Sequence, residues 1–237
     1  MKSLLVGFNE FHGWAVNPAR LVVEALRGND QFVAGMGMTA EVFPTEFDAA
    51  GRRIVQLVTV HRPDVVVVVG MAAGRSGVSL ERVALNLDDT NTPDNAGLAP
   101  TGRLITSDGP LAYWSTLPLN HLVATLVEHG VSAHISNFAG SFVCNHTFYL
   151  ARYTAERLGI RAACGLVHIP LMTELLDEAR AGYPSLPEAD IIRAVAVCVR
   201  ESFGRAETLA GDTWGPGGSP VGPENLVGRL DRRKKGR

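Results

Sequence analysis

The stretch DVVVVVG, residues 64–70, sets five consecutive valines between an aspartate and a glycine. A half-exposed strand would alternate apolar and polar residues, and an amphipathic helix would break the run within a turn. A short, unbroken β-branched run is what a strand covered on both faces looks like, as in the middle of a parallel sheet. Similar runs recur on either side: SLLVGF at 3–8, SAHISN at 132–137 and GLVHIP at 165–170, each ending at or beside Gly, Asn or Pro.

Helical spacing fills the intervals. NPARLVVEALRG, 17–28, opens with Asn17 as a cap and Pro18 in the first turn and stops at Gly28. EFDAAGRRIVQLVTVHRP, 46–63, stops before Pro63; LPLNHLVATLVEHG, 117–130, ends at Gly130; LPEADIIRAVAVCVRESFG, 186–204, carries apolar residues at helical spacing to Gly204. Strands alternating with helices predict a three-layer α/β/α sandwich, phosphorylase/hydrolase-like, around a mostly parallel, mixed sheet.

The chain has 237 residues, 46 % hydrophobic and 19 % charged, enough for one sizeable core and one domain, expected over residues 1–210. Two segments break the alternation. Residues 86–110, NLDDTNTPDNAGLAPTGRLITSDGP, form a long Asn-, Asp-, Pro- and Gly-rich insert of the kind that serves a site or an interface. The segment 211–237 is rich in Gly and Pro, and six of its last nine residues are basic. Its composition predicts a flexible, solvated tail. A net charge of -2 gives no reason to expect nucleic acid as a partner, and no apolar stretch reaches the roughly 18 residues of a membrane span. Three cysteines at irregular spacing, Cys144, Cys164 and Cys198, make neither a disulfide framework nor a metal knuckle, and they fit a reducing cytoplasm.

In an open α/β sheet the chemistry gathers beyond the carboxyl ends of the strands. The loops there are GFNEFHG, GMAAGRSGVSLER, SNFAGSFVCNH and the HIP that ends the last run. A helix starting near Cys144 would turn its free amides and its dipole on that thiol and favour the nucleophilic thiolate. Taken alone, Cys144 fits a packed structural thiol at least as well, and His168 a satisfied core histidine. Together, a Cys and a His in loops of one sheet are what nucleophilic catalysis requires. Glu81 is a candidate to orient the imidazole; its alternative is an exposed carboxylate on a helix. Cys164 and Cys198 lie inside apolar patterns and read as core. GMAAGR is neither GxGxxG nor a phosphate loop, no GxSxG is present, and Cys144, His146 and His134 lack metal-ligand spacing.

Four blocks in order, VGFNEF with VNPA, GMAAGRSGVSLERVALNLDD with PDNAG, SNFAGSFVCNHTFY and GLVHIPLM, resemble the pyroglutamyl peptidase I family of cysteine peptidases over about residues 1–205. The resemblance implies a hydrolase that removes N-terminal pyroglutamate from peptides through a thioester on Cys144, with His168 as base and Glu81 as orienter. It also implies a lactam pocket walled by Phe8, Phe11, Met71 and Phe142, no metal or organic cofactor, and a cytoplasmic homo-oligomer, a tetramer. The alternatives are a thiol amidohydrolase for another cyclic or N-acyl amide and a non-catalytic binding relative. Three positions depart from the family pattern: Glu10 replaces a Pro, Met71 a Gln and Asn91 an Arg. An Arg lost from the substrate's surroundings at 91 would slow turnover.

Overall fold

The computed structural model describes residues 1–203 and 205, apart from His12. The expected tail, 211–237, lies outside the described residues. In chain order the elements are β1 (Ser3–Phe8), α1 (Pro18–Arg27), α2 (Asp30–Met36), β2 (Met38–Phe43), α3 (Phe47–His61), β3 (Val65–Met71), β4 (Val78–Glu81) and β5 (Val83–Leu85). They continue with β6 (Ala112–Trp114), α4 (Leu119–Glu128), β7 (Ala133–Ser136), α5 (Val143–Arg157), β8 (Ala163–Ile169), β9 (Leu171–Met172), β10 (Ser185–Leu186) and α6 (Glu188–Phe203).

The main sheet has the order β2-β1-β3-β8-β4-β7. Neighbours are parallel throughout except β4 against β8, so β4 and β7 run opposite to the other four strands. The valine run sits near the middle as β3, and alternate side chains serve opposite layers. Val65, Val67 and Val69 join a core with Val22 of α1, Leu122 of α4 and Val195 of α6, while Val66 and Val68 join Ile54 of α3 and Phe148 of α5. With apolar helices on both sides, no position in that strand has a use for a polar residue. The expected sandwich is the observed one.

The runs differ at the sheet edges. SAHISN is the edge strand β7, half-exposed and not covered on both faces, which is why it mixes His and Ser with Ala and Ile. The opposite edge, β2, is MTAEVF, whose Glu41 pairs with Arg53 of α3 at 2.6 Å. As expected, Asn17 caps α1 by accepting from the Ala19 amide, and Pro18 occupies the first turn. Residues 86–110 are irregular, fastened by a bridge between Asp88 and Arg103. No described helix is long and apolar enough to cross a membrane.

Candidate active site

His168 stands near the end of β8, in register with Gly70 of β3 on one side and Ser79 of β4 on the other. Because β4 runs antiparallel to β8, Glu81 falls opposite Leu166, two residues before His168. The two side chains are therefore diagonal neighbours on one face of the sheet, within reach of each other. His168 Nδ1 lies 2.8 Å from Glu81 Oε1, and both residues are buried, Glu81 completely. Glu81 is thus a strand residue in the interior, not an exposed carboxylate on a helix.

Arg75, in the turn between β3 and β4, donates from Nη1 to the same Oε1 at 2.6 Å and from Nη2 to the Phe138 carbonyl at 3.4 Å. Burial pushes the Glu81 carboxyl up, but the His168 hydrogen bond and charge, a Ser136 hydrogen bond and the Arg75 charge together pull harder, and the group is held below the usual carboxylate range. Glu81 is an anion at neutral pH.

Cys144 comes from the other layer. It sits in the first turn of α5, whose N-cap is Phe142, a residue with no side-chain group to satisfy the helix amides. Those amides stay available to an anion beside the sulfur. A Cβ at Gly70 would lie 2.8 Å from Cys144 Sγ and 2.9 Å from His168 Nε2, so thiol and imidazole converge over bare backbone. Any side chain at 70 would part them. Burial, and then the Glu81 charge, push the Cys144 thiol up to about 12, with slight relief from its own backbone amide. At neutral pH the resting sulfur carries its proton, and a base must remove it.

A cavity of about 310 Å³ opens onto Cys144 and His168. Phe8, Phe11, Met71 and Phe142 line it. The Phe11 and Phe142 rings lie 5.0 Å apart, and Phe142 packs edge-on to Phe47 at 5.3 Å. Among the described residues no Asp, Glu, Lys or Arg lines this cavity, which suits a flat, uncharged group. Also among them, no group of three His, Cys, Asp or Glu is placed to hold a metal ion.

Residues 1–203 match the family model described as pyroglutamyl peptidase. The chain belongs to that family. The pyrrolidone-carboxylate peptidase of Bacillus licheniformis is 40 % identical over 197 residues, covering 83 % of this chain and 89 % of the relative. Pyrrolidone-carboxylate peptidase 1 of Ralstonia nicotianae is 36 % identical over 206 residues, covering 87 % and 94 %. Among solved structures, a mutant pyrrolidone carboxyl peptidase from the hyperthermophile Pyrococcus furiosus superposes with a TM-score of 0.82 at 31 % identity, covering 86 % of this chain and 99 % of that one.

All seven residues singled out in the sequence of this pyroglutamyl peptidase family member gather at one place. Glu81 is the one that does not touch the cavity, since it sits behind His168. Sequence reading missed Asn17, Thr45, Thr90, Thr92 and Ala139, which complete the lining. Asn17 was legible only as a helix cap; its Nδ2 also donates to the Asn9 carbonyl at 2.8 Å and so fixes the loop carrying Phe11. Asn91 is exposed and outside the lining, while its neighbours Thr90 and Thr92 face the cavity. Glu10, at the position of the family's Pro, pairs with Arg20 at 2.7 Å.

Proposed function

We propose that this protein is a cysteine peptidase that removes N-terminal pyroglutamate, with Cys144 as nucleophile, His168 as base and acid, and Glu81 as orienter. The observation that carries the assignment of roles is the convergence of Cys144 Sγ and His168 Nε2 over Gly70, at the mouth of an uncharged aromatic cavity. His168 Nε2 takes the thiol proton, and the thiolate attacks the pyroglutamyl carbonyl carbon. The imidazolium formed is stabilised by Glu81 through Nδ1. The tetrahedral oxyanion is met by the uncapped amides at the start of α5, a donor type worth about 3 to 4 kcal/mol in comparable sites. Collapse breaks the C–N bond as His168 returns its proton to the leaving amine. Water then cleaves the thioester, giving its proton to His168 and its hydroxyl to the acyl carbon, and the thiol is restored.

Phe8, Phe11, Met71 and Phe142 form the walls for the lactam ring. A free N-terminal ammonium would find no countercharge in this lining, so neutrality of the terminal ring is part of recognition. Met71 is apolar and Thr92 is a hydroxyl-bearing residue, so the lining as a whole is mixed. The same reading places the protein in a reducing cytoplasm, supported by its three free cysteines. It also takes the protein as a homo-oligomer of the family's tetrameric kind, supported by exposed Leu111 and Trp114.

Release of a fluorescent amine from its pyroglutamyl amide tests the activity. The wild-type protein is expected to release it, Cys144→Ala to lose at least about 10⁴-fold in kcat, and Cys164→Ala to retain the rate. Selective alkylation of Cys144 without any release would point instead to another cyclic or N-acyl amide substrate.

A further inference from the structure

Glu81 has a second partner that the reaction steps do not use. Its carboxylate is fully buried, and its Oε2 has no hydrogen-bond partner among the described residues. His168 Nδ1 and Arg75 Nη1 both meet its Oε1, and a Ser136 hydrogen bond also helps hold the carboxyl down. An anion so placed is costly unless a positive charge compensates it. Two groups can supply that charge. One is a proton on His168, which would remove the base; the other is Arg75.

The groups facing this pair are few. Cys144 on α5 is on the far side of His168 and is neutral at rest. Ser136 on β7, in register with Glu81, carries no charge, and Ser79 of β4 likewise; the other titratable group on this face is the exposed His134 of β7, one strand further out, whose Nε2 lies 3.1 Å from Ser79 Oγ. Arg75 reaches in from the β3–β4 turn with its side chain about a quarter exposed, and its second nitrogen holds the Phe138 carbonyl, in the segment that leads to Ala139 and Phe142 of the cavity.

We infer that Arg75 is a positioning residue that compensates the buried Glu81 charge so that His168 stays unprotonated, and therefore a competent base, at neutral pH. Arg75 acts on the thiol only through Glu81 and His168, and it sets the pH below which the site fails. Without it, the carboxylate would be compensated by holding a proton on the imidazole, and Cys144 would lose its base over a wider acid range. The inference rests on the roles proposed above for His168 and Glu81. It does not need the substrate to be correct, because alkylation of Cys144 reads the same base.

The test is the pH dependence of Cys144 alkylation by iodoacetamide, followed by mass spectrometry, beside kcat/KM for a pyroglutamyl amide. In Arg75→Gln the acid limb of both profiles is expected to move up by about one pH unit, with about tenfold slower alkylation near pH 6 and little change above pH 8. Arg75→Lys, which keeps the charge, is expected to keep the wild-type limb. A limb that stays in place in Arg75→Gln, or moves down, overturns the proposal, as does an Arg75→Lys limb displaced as far as that of Arg75→Gln. A structural role alone would lower the rate at every pH. Should Arg75→Gln not fold, Arg75→Gln/Glu81→Gln is compared with Glu81→Gln. The pair is expected to fold and to share one limb, since no anion remains to compensate, and unfolding of the pair or separate limbs would overturn the proposal. A shifted alkylation limb without amide release would leave Arg75's role intact and count against the substrate alone.

Discussion

Among the described residues, two trios of one design each join a buried carboxylate, a buried histidine and a partly exposed arginine. In one, His168 Nδ1 rests on Glu81, which also takes Arg75; in the other, His146 Nδ1 lies 2.9 Å from Asp88, which takes Arg103 at 2.9 Å. Both carboxylates are fully buried, and both histidines nearly so. Each histidine even depends on a glycine opposite its Nε2, Gly70 in the first trio and Gly51 in the second. What differs is what stands beyond that nitrogen. His168 Nε2 shares its space with Cys144 Sγ and opens on the cavity, whereas His146 Nε2 is pressed against α3, beside Leu150 and edge-on to Phe47. A carboxylate, an imidazole and a guanidinium in line make a clamp; a thiol and a cavity at the end of the line make a site.

The second trio has a clamp's connections. His146 and Asn145, in the first turns of α5, bind Asp88 and the backbone of Leu85 and Leu87, and Ser141 binds the Asp89 carbonyl. The helix that carries Cys144 is thereby stitched to the segment that carries Thr90 and Thr92.

The sharpest way to separate the trios is to delete each imidazole. His168→Ala is expected to lower kcat by about 10³-fold or more, and also to lower Tm because Glu81 is left buried with one partner fewer, so the kinetic loss is what separates the two deletions. His146→Ala is expected to stay within a few-fold in kcat and to lose about 2 to 3 kcal/mol, because Asp88 is left buried with one partner fewer; thermal melts beside the amide assay read both. Equal kinetic losses would erase the distinction between site and clamp.

Neutralising the carboxylates comes next. Glu81→Gln is expected to cost about 10²-fold in kcat, and Asp88→Asn to act mainly on stability. The Glu81 contribution to stability also has a pH signature. Its folded value is depressed below 4.5, so the stabilisation is present above that pH and is lost as pH falls through the folded value. Acid melts of wild type and Glu81→Gln should therefore converge as pH falls below the ordinary carboxylate value and through the depressed folded one. A gap that widens on acidification would contradict the assignment.

The glycines give the smallest expected effect. A Cβ at Gly70 would sit 2.7 Å from His168 Cδ2, and one at Gly51 would sit 2.5 Å from His146 Nε2. Gly70→Ala is expected to lower kcat by about tenfold through misplacement of thiol and base, and Gly51→Ala to lower Tm by a few degrees at near-normal kcat. Kinetic loss in Gly51→Ala would show that the clamp reaches the chemistry.

How much of this was legible in the sequence follows from the range of the interactions. The valine run and its companions β1 and β8 declare themselves because strands covered on both faces are filled almost wholly by apolar residues. The edge strands β2 and β7 carry mixed patterns and say less. SLERVA could not reveal β4, because its buried glutamate is explained by partners outside the stretch, Arg75 in the preceding turn and His168, 87 positions away on an antiparallel neighbour. Cys144 and His168 were found as a pair of residue types behind strands, and the family blocks fixed Phe8, Phe11, Met71 and Phe142. Thr45, Thr90 and Thr92 sit in irregular segments with no periodicity to mark them. The His146 clamp was equally hidden, since Asp88 is 58 residues away in a loop.

The central claim is that Cys144, activated by His168, carries the acyl group. Acid-quenching the protein during turnover of a pyroglutamyl amide and mapping its peptides by mass spectrometry tests it directly. The account predicts a mass increase of one pyroglutamyl group on the peptide bearing Cys144, absent in Cys144→Ser treated in parallel. Steady amine release with Cys144 unmodified, or with the adduct on Cys164 or Cys198, would contradict it.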